Sequence, residues 1–270
     1  MTVTDLRTDE VASIVDDPRR LVRLDAVHNF RDLGGYELGD GRELGWGRLF
    51  RADGLHRLTA GDVAVMDALG VRTVVDLRSS AELDEHGHYP FGRHPVAFHH
   101  LPVLDATWQR DELPPVDDTE EGATEFLVWA YRDMLDRAAD RFAYAIGVLA
   151  VPGALPAVFH CAAGKDRTGL LAALVLGGLG VDHEVIVADY ALTRSGMERM
   201  RAWVRVNHPE MAERMGETPA FMLAANPEAM RVVLAGLVAE HGSIRAYLSS
   251  IGVGRALLDQ LADALTAPIA

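Results

Sequence analysis

The sequence predicts an α/β fold: a parallel-rich central sheet flanked by helices, with a helical lid and a helical C-terminal part. Three observations carry this expectation. Short β-branched runs alternate with helical periodicity through the first half of the chain. A short apolar strand, a small-residue loop and an apolar helix follow one another at 156–179. Beyond that helix the patterns are helical and no strand signal returns, so α/β with appended helices fits better than two domains.

Each element has a local reason. Residues 30–52 carry turn signals at Gly34-Gly35 and Gly39-Asp40-Gly41, which predict a hairpin and then a strand near Arg48–Ala52. Thr59 with Asp62 reads as a capping box that opens a helix, and Gly70 closes it. Arg72–Leu77 (RTVVDL) reads as a buried strand, and Ser79 with Glu82 caps a short helix after it. Residues 48–78 thus read as a β-α-β unit, which implies a parallel sheet. A strand is expected at Ala97–Val103, and an acidic loop over Asp105–Glu121. Residues 124–151 carry helical periodicity that Pro152 ends. Ala157–His160 (AVFH) is a further strand, and Thr168–Leu179 an apolar helix. In the tail, Asn226-Pro227 reads as an N-cap and first-turn pair, Gly242-Ser243 as a break, Gly252-x-Gly254 as an interhelix turn, and 255–265 as amphipathic helix.

The chain has 270 residues, 49% hydrophobic and 24% charged, enough to bury the core of one large domain spanning 1–270. No repeat or linker divides it. The polar, acidic N-terminus lacks a signal-peptide core. The longest apolar run, Leu170–Val181, is broken by Gly177, Gly178 and Gly180 and is too short to span a bilayer. A cytoplasmic protein with no integral membrane segment is expected, with signal-independent export left open. A net charge of −14 argues against nucleic acid as a partner, which needs an extended basic face. Any anion must be held at a concentrated local site.

Such a site is visible. Cys161 is the only cysteine, so no intrachain disulfide and no cysteine-rich metal site is expected. Lys165 is the only lysine among 26 basic residues, and it stands four positions from that cysteine. The segment Pro156–Gly169 reads PAVFHCAAGKDRTG. Five residues between Cys161 and Arg167 can wrap a ring of backbone N–H groups around one anion, with a helix N-terminus aimed at the same point. Gly164 allows a backbone angle that other residues resist. Ala162 and Ala163 keep side chains out of the ring, and Arg167 offers a planar fork to two phosphoryl oxygens. A thiol in that field is expected to react as the thiolate, with Thr168 donating a hydrogen bond to its sulfur. The segment is not a Walker A loop, because Asp166 stands where Ser or Thr should follow Gly164-Lys165. The histidines of the 86–100 region (His86, His88, His94, His99, His100) lack a metal-ligand spacing. No cofactor and no metal is expected.

His160-Cys161-Ala162-Ala163-Gly164-Lys165-Asp166-Arg167-Thr168-Gly169 resembles the signature loop of the cysteine-dependent phosphatases. Its Gly-Lys-Asp-Arg variant is similar to the atypical bacterial tyrosine/serine phosphatases. Further segments agree: Asn29–Gly35 (NFRDLGG), Phe50–Asp53 (FRAD), Val75–Arg78 (VDLR) and Ile186–Tyr190. The resemblance covers most of residues 27–194. It implies a phosphatase-type sheet and hydrolysis of phosphotyrosine, and in some members of phosphoserine/threonine and phosphoinositides, with phosphate as product. It implies a catalytic set of Cys161, Asp166 and Arg167, a phosphate cradle of Ala162, Ala163, Gly164, Lys165 and Thr168, and support from His160, Asp76 and Arg51.

Two alternatives stay open. The general acid is expected at Asp166, with Asp105 after the strand LPVLD as its rival; Asp166 could instead brace the loop by pairing with Arg51 or Arg78. A phosphoinositide or small-molecule phosphatase is the nearest competing function; sulfur transfer and a phosphate-binding pseudo-enzyme are more distant, and the Lys165, Arg167 and Cys161 set favours phosphate chemistry over those two. The Met-rich segment from about 195 to 225 is expected to form a helical lid over the site.

Overall fold

The computed structural model describes residues 8–105, 114, 119–216 and 225–266. A five-stranded sheet runs through its centre: β1 (Arg31–Asp32), β2 (Leu49–Ala52), β3 (Thr73–Asp76), β4 (Ala97–His100) and β5 (Ala157–His160). The spatial order is β1-β2-β5-β3-β4. β1 is antiparallel to β2, and the other neighbours are parallel. The expected β-α-β unit is present, but its two strands are not neighbours: β5 lies between β2 and β3 and pairs with both. The register places Ala52 and Asp76 on either side of His160. Three strand ends therefore stop level, and the chain leaving the middle one enters Cys161. In parallel sheets that crevice beyond the carboxyl ends is where ligands bind.

All four residues of β5 are buried, as expected for a central strand covered on both faces. Alternation divides them. Ala157 and Phe159 join the larger core with Val75, Tyr131, Phe142 and Leu174, whereas Val158 joins Phe50, Val74, Val63 and Met66 on the other face. The first face is covered by α4 (Glu120–Arg137), α5 (Ala139–Ala150), α6 (Asp166–Gly178) and α7 (His183–Ala191); the second takes α2 (Ala60–Ala68). α6 is buried nearly all round, which its uniformly apolar sequence requires.

Both capping boxes form. Thr59 and Asp62 open α2, and Ser79 and Glu82 open α3 (Ser80–His86). The periodic stretch 124–151 is two helices rather than one, broken at Ala138 where φ is −115° and ψ 24°. The strand expected over Ala97–Val103 ends at His100. The hairpin after β1 closes through a Glu37–Glu43 bridge. α8 (Thr193–Asn207) and α9 (Pro209–Gly216) follow α7, and α10 (Pro227–His241), α11 (Ile244–Ser250) and α12 (Arg255–Thr266) complete the described chain. Among the described residues no helix is long and apolar enough to cross a membrane.

Candidate active site

The loop from Cys161 to Lys165 turns from β5 into α6, and its shape is set by what its carbonyls do. Ala162 O accepts from Gly54 N at 3.0 Å. Asn29 Nδ2 donates to both Ala163 O (3.1 Å) and Gly164 O (3.0 Å), and Arg51 Nη2 donates to Gly164 O at 3.0 Å. Consecutive carbonyls are thus held by protein on the outside of the turn. The amides at the start of α6 have no intrahelical acceptor, because the first bond of the helix is Gly169 N to Lys165 O. That is the polarity an anion requires. Gly164 has φ of 66°, and a Cβ there would stand 2.5 Å from Ala52 O, so the turn admits only glycine.

Cys161 is 2% exposed at the base of this turn. His160, immediately before it, is fully buried; its Nδ1 lies 3.1 Å from Cys161 O and its Nε2 3.5 Å from Asp76. Burial depresses its imidazole below the ordinary histidine value, against the pull of Asp76. Asp76 in turn grips Arg78 through side-chain bonds of 3.0, 3.1 and 2.7 Å. Burial raises the Asp76 carboxyl, but His160 and Arg78 outweigh it and hold it at about 2. The expected hydrogen bond from Thr168 to the sulfur is not formed: Thr168 Oγ1 is buried and has no hydrogen-bond partner. A buried hydroxyl left open beside the helix N-terminus fits a cradle waiting for an acceptor.

Arg167 is fixed by a residue that the sequence marked only as a helix cap. Its Nη1 and Nη2 donate to the two oxygens of Glu82 at 2.5 and 2.8 Å. This leaves the Nε–Nη2 edge for two oxygens of a bound group. Burial raises the Glu82 carboxyl, but the Arg167 bonds and charge outweigh it and hold it at about 2. The S-x-x-E signature showed the cap; only the fold showed that the same carboxylate also meets Arg167.

Behind the loop lies a buried ion cluster. Asp189 of α7 receives Arg51 Nη1 at 2.7 Å, Arg31 Nε at 3.1 Å and Tyr36 OH at 3.0 Å. Burial raises the Asp189 carboxyl, and the two guanidinium groups outweigh it and hold it well below the usual range. Burial and Arg31 together lower Arg51 to about 10. Arg31 also meets Asn29, and Asp53 fixes the Asn29 amide at 2.8 Å. The NFRDLGG and FRAD segments therefore brace the loop from behind.

Arg51 binds Asp189 and Arg78 binds Asp76, so the alternative brace between Asp166 and either arginine is not formed. Asp166 instead accepts from Tyr131 OH at 2.6 Å and lies 3.4 Å from Lys165 Nζ, with 30% of its side chain exposed. Asp105 is exposed and accepts from Ser80 N and Oγ at the start of α3; these Ser80 bonds lower its carboxyl. It is a cap on α3 and makes no bond to the loop. Of the Met-rich segment, residues 217–224 lie outside the described residues. Its α8 packs Met197, Met200 and Val204 beside Ala163 of the loop. Arg199 of α8 donates to His28 O at 2.9 Å, next to Asn29.

Comparison with known proteins agrees with this geometry. The model of the tyrosine phosphatase family matches residues 22–267. A triple specificity protein phosphatase, PtpB, of Mycobacterium tuberculosis is 30% identical over 90% of this chain and 98% of its own. A tyrosine-protein phosphatase of Nostoc commune is 31% identical over 78% of this chain and 71% of its own. Among solved structures, P. aeruginosa TpbA covers 75% of this chain and 99% of its own at 19% identity and a TM-score of 0.31, too remote to argue from. With a cysteine at the base of a turn whose carbonyls face outward, an arginine fixed at its rim, and a family match along nearly the whole chain, this protein belongs to the tyrosine phosphatase family.

Proposed function

We propose that this chain hydrolyses phosphotyrosine in proteins through a phosphocysteine formed on Cys161. The outward-held carbonyls of residues 162–164 carry the proposal, because they leave the loop amides and the Nε–Nη2 edge of Arg167 to meet the equatorial phosphoryl oxygens. The thiolate attacks phosphorus, an S–P bond forms and the P–O bond to tyrosine breaks. Asp166 gives its proton to the departing oxygen. Water then attacks phosphorus, Asp166 takes a proton from it, the S–P bond breaks, and phosphate and the thiolate are released. Ala162, Ala163, Gly164, Lys165 and Thr168 form the cradle, and His160, Asp76 and Arg51 support it.

The test is initial-rate kinetics on p-nitrophenyl phosphate and phosphotyrosine peptides, with and without EDTA. Activity should persist with chelator and be lost to vanadate or thiol alkylation. Chelator loss restored by a divalent metal overturns the proposal, and thiosulfate turnover without phosphatase activity would favour sulfur transfer. The triple specificity of the mycobacterial relative supports activity on phosphoserine/threonine and phosphoinositides as well, so the substrate panel includes them. The nucleophilic thiol points to a reducing compartment, the cytoplasm. The contact between α8 and Ala163 supports the lid reading for 195–225 within one domain; deleting 198–222 should speed peroxide inactivation of Cys161.

A further inference from the structure

We propose that Tyr131 is a positioning residue for Asp166, holding one carboxyl oxygen so that the transferable proton sits on the other. This rests on the reading of Asp166 as the general acid. Tyr131 is on α4, Asp166 on α6, and Tyr190 on α7, three helices that pack together on one face of the sheet. The Tyr131 hydroxyl lies 2.6 Å from Asp166 Oδ1 and 2.5 Å from the Tyr190 hydroxyl.

A phenol has one proton to give. Tyr131 gives its proton to the carboxyl group, so the bond between the two phenols runs from Tyr190 O–H to the Tyr131 oxygen. The donor chain then runs from Tyr190 through Tyr131 to Asp166. The ring of Tyr131 is fully buried, and its hydroxyl would cost stability if turned away from these partners. Burial, with the charge of Asp166 adding to it, raises the Tyr131 phenol well above its ordinary value, so it stays a donor across the working pH range.

The consequence lies in the asymmetry of the carboxyl group. Oδ1 accepts from Tyr131 and faces Lys165 Nζ at 3.4 Å. Among the described residues no hydrogen bond reaches Oδ2. An oxygen already accepting from a phenol and facing an ammonium is a poor place for a proton. The acid form therefore carries its proton on Oδ2, the oxygen that no hydrogen bond from a described residue reaches. Oδ1 accepts from Tyr131 whether Asp166 is protonated or ionised, so the carboxyl group need not turn between its acid step and its base step. Preorganisation of this kind removes rotational freedom that an unsupported side chain at a loop–helix junction would keep.

In the sequence, Tyr131 is one more apolar position of a helical repeat. Its hydroxyl becomes meaningful only where α4 meets the first turn of α6.

The experiment compares kcat/KM for aryl phosphates of rising leaving-group pKa, from p-nitrophenyl to phenyl phosphate, in the native enzyme, Tyr131→Phe, Tyr190→Phe, Asp166→Asn and Tyr131→Phe/Asp166→Asn. Thermal melting and inorganic phosphate binding report the fold and the cradle. Tyr131→Phe should steepen the leaving-group dependence, with about tenfold more loss on phenyl than on p-nitrophenyl phosphate, a fraction of the 10²–10⁴ of a whole general acid. Tyr190→Phe leaves the donor to Asp166 in place and should do less. The double variant should lose little beyond Asp166→Asn. Equal loss on both substrates in Tyr131→Phe, or no loss, overturns the positioning role even when Asp166→Asn is selective. If Asp166→Asn itself shows no leaving-group selectivity, the acid reading fails, and the role of Tyr131 falls with it.

Discussion

The loop is held from two sides, and the two supports differ in how they meet water. At the rim, Arg167 and Glu82 form a bidentate pair with side chains 15% and 24% exposed. Behind the loop, Asp189 with Arg31 and Arg51 is sealed, with at most 5% exposure in any of the three side chains. A sealed cluster is intolerant of losing one member, because the remaining charge is stranded in a poor dielectric. A rim pair can rearrange or hydrate, so its loss is felt through the geometry of what it holds. Stability should therefore concentrate behind the loop and chemistry at its front.

The largest effect expected is on chemistry alone. Cys161→Ser should cut turnover by on the order of 10⁵–10⁶-fold while phosphate binding and melting temperature stay near native values. A serine enzyme that still turns over would refute the covalent route. Arg167→Lys should also be severely impaired, because an ammonium cannot serve Glu82 and the phosphoryl oxygens with one planar fork. Asp189→Ala tests the opposite side: it leaves two buried guanidinium groups facing each other and should cost about 3–5 kcal/mol by chemical denaturation. If it melts like the native protein, the division between the two supports is wrong. Glu82→Gln keeps a residue that can serve the capping box but removes the charge that aims Arg167. It should lower kcat/KM about 10–100-fold and shift stability by less than about 1 kcal/mol; a large loss of stability would move Glu82 to the sealed class.

The smallest effect is on pH. Burial depresses His160, and it depresses His56 to about 3. Unfolding lets these rings take up protons that the folded state refuses, so their contribution is present above about pH 6.5 and is lost as pH falls below it. Glu82 and Asp76, held at about 2, keep their contribution above about pH 4 and lose it between there and about pH 2. The melting temperature should thus begin to fall below pH 6.5, well before the carboxylates titrate. A flat profile from pH 7 to 5 would contradict the depressed values of His160 and His56.

Much of this was legible in the sequence, because the signals are local. A strand of four apolar-to-polar residues, a turn that needs a left-handed glycine at Gly164, and a helix opening on Asp166 are specified by their own residues. Cys161 and Arg167 fall on that frame at a spacing that fits one anion. Both capping boxes are likewise read from four-residue patterns. Beyond the support from His160, Asp76 and Arg51 that the resemblance implied, residue patterns alone do not assign a role that depends on which distant surface comes close. The insertion of β5 between β2 and β3 brings Ala52, Asp76 and His160 level and so carries Arg51 to the loop and Asp76, with its partner Arg78, to His160. The reach of Glu82 to Arg167 spans helices that share no pattern. Asp166 and Asp105 differ in contacts that only the fold makes: one meets Tyr131 and Lys165, and the other meets Ser80. Local backbone preferences set the turn that carries Cys161 and Arg167; long-range packing set the groups that aim and brace it, because a hydrogen bond between residues far apart in the chain leaves no period or spacing to read.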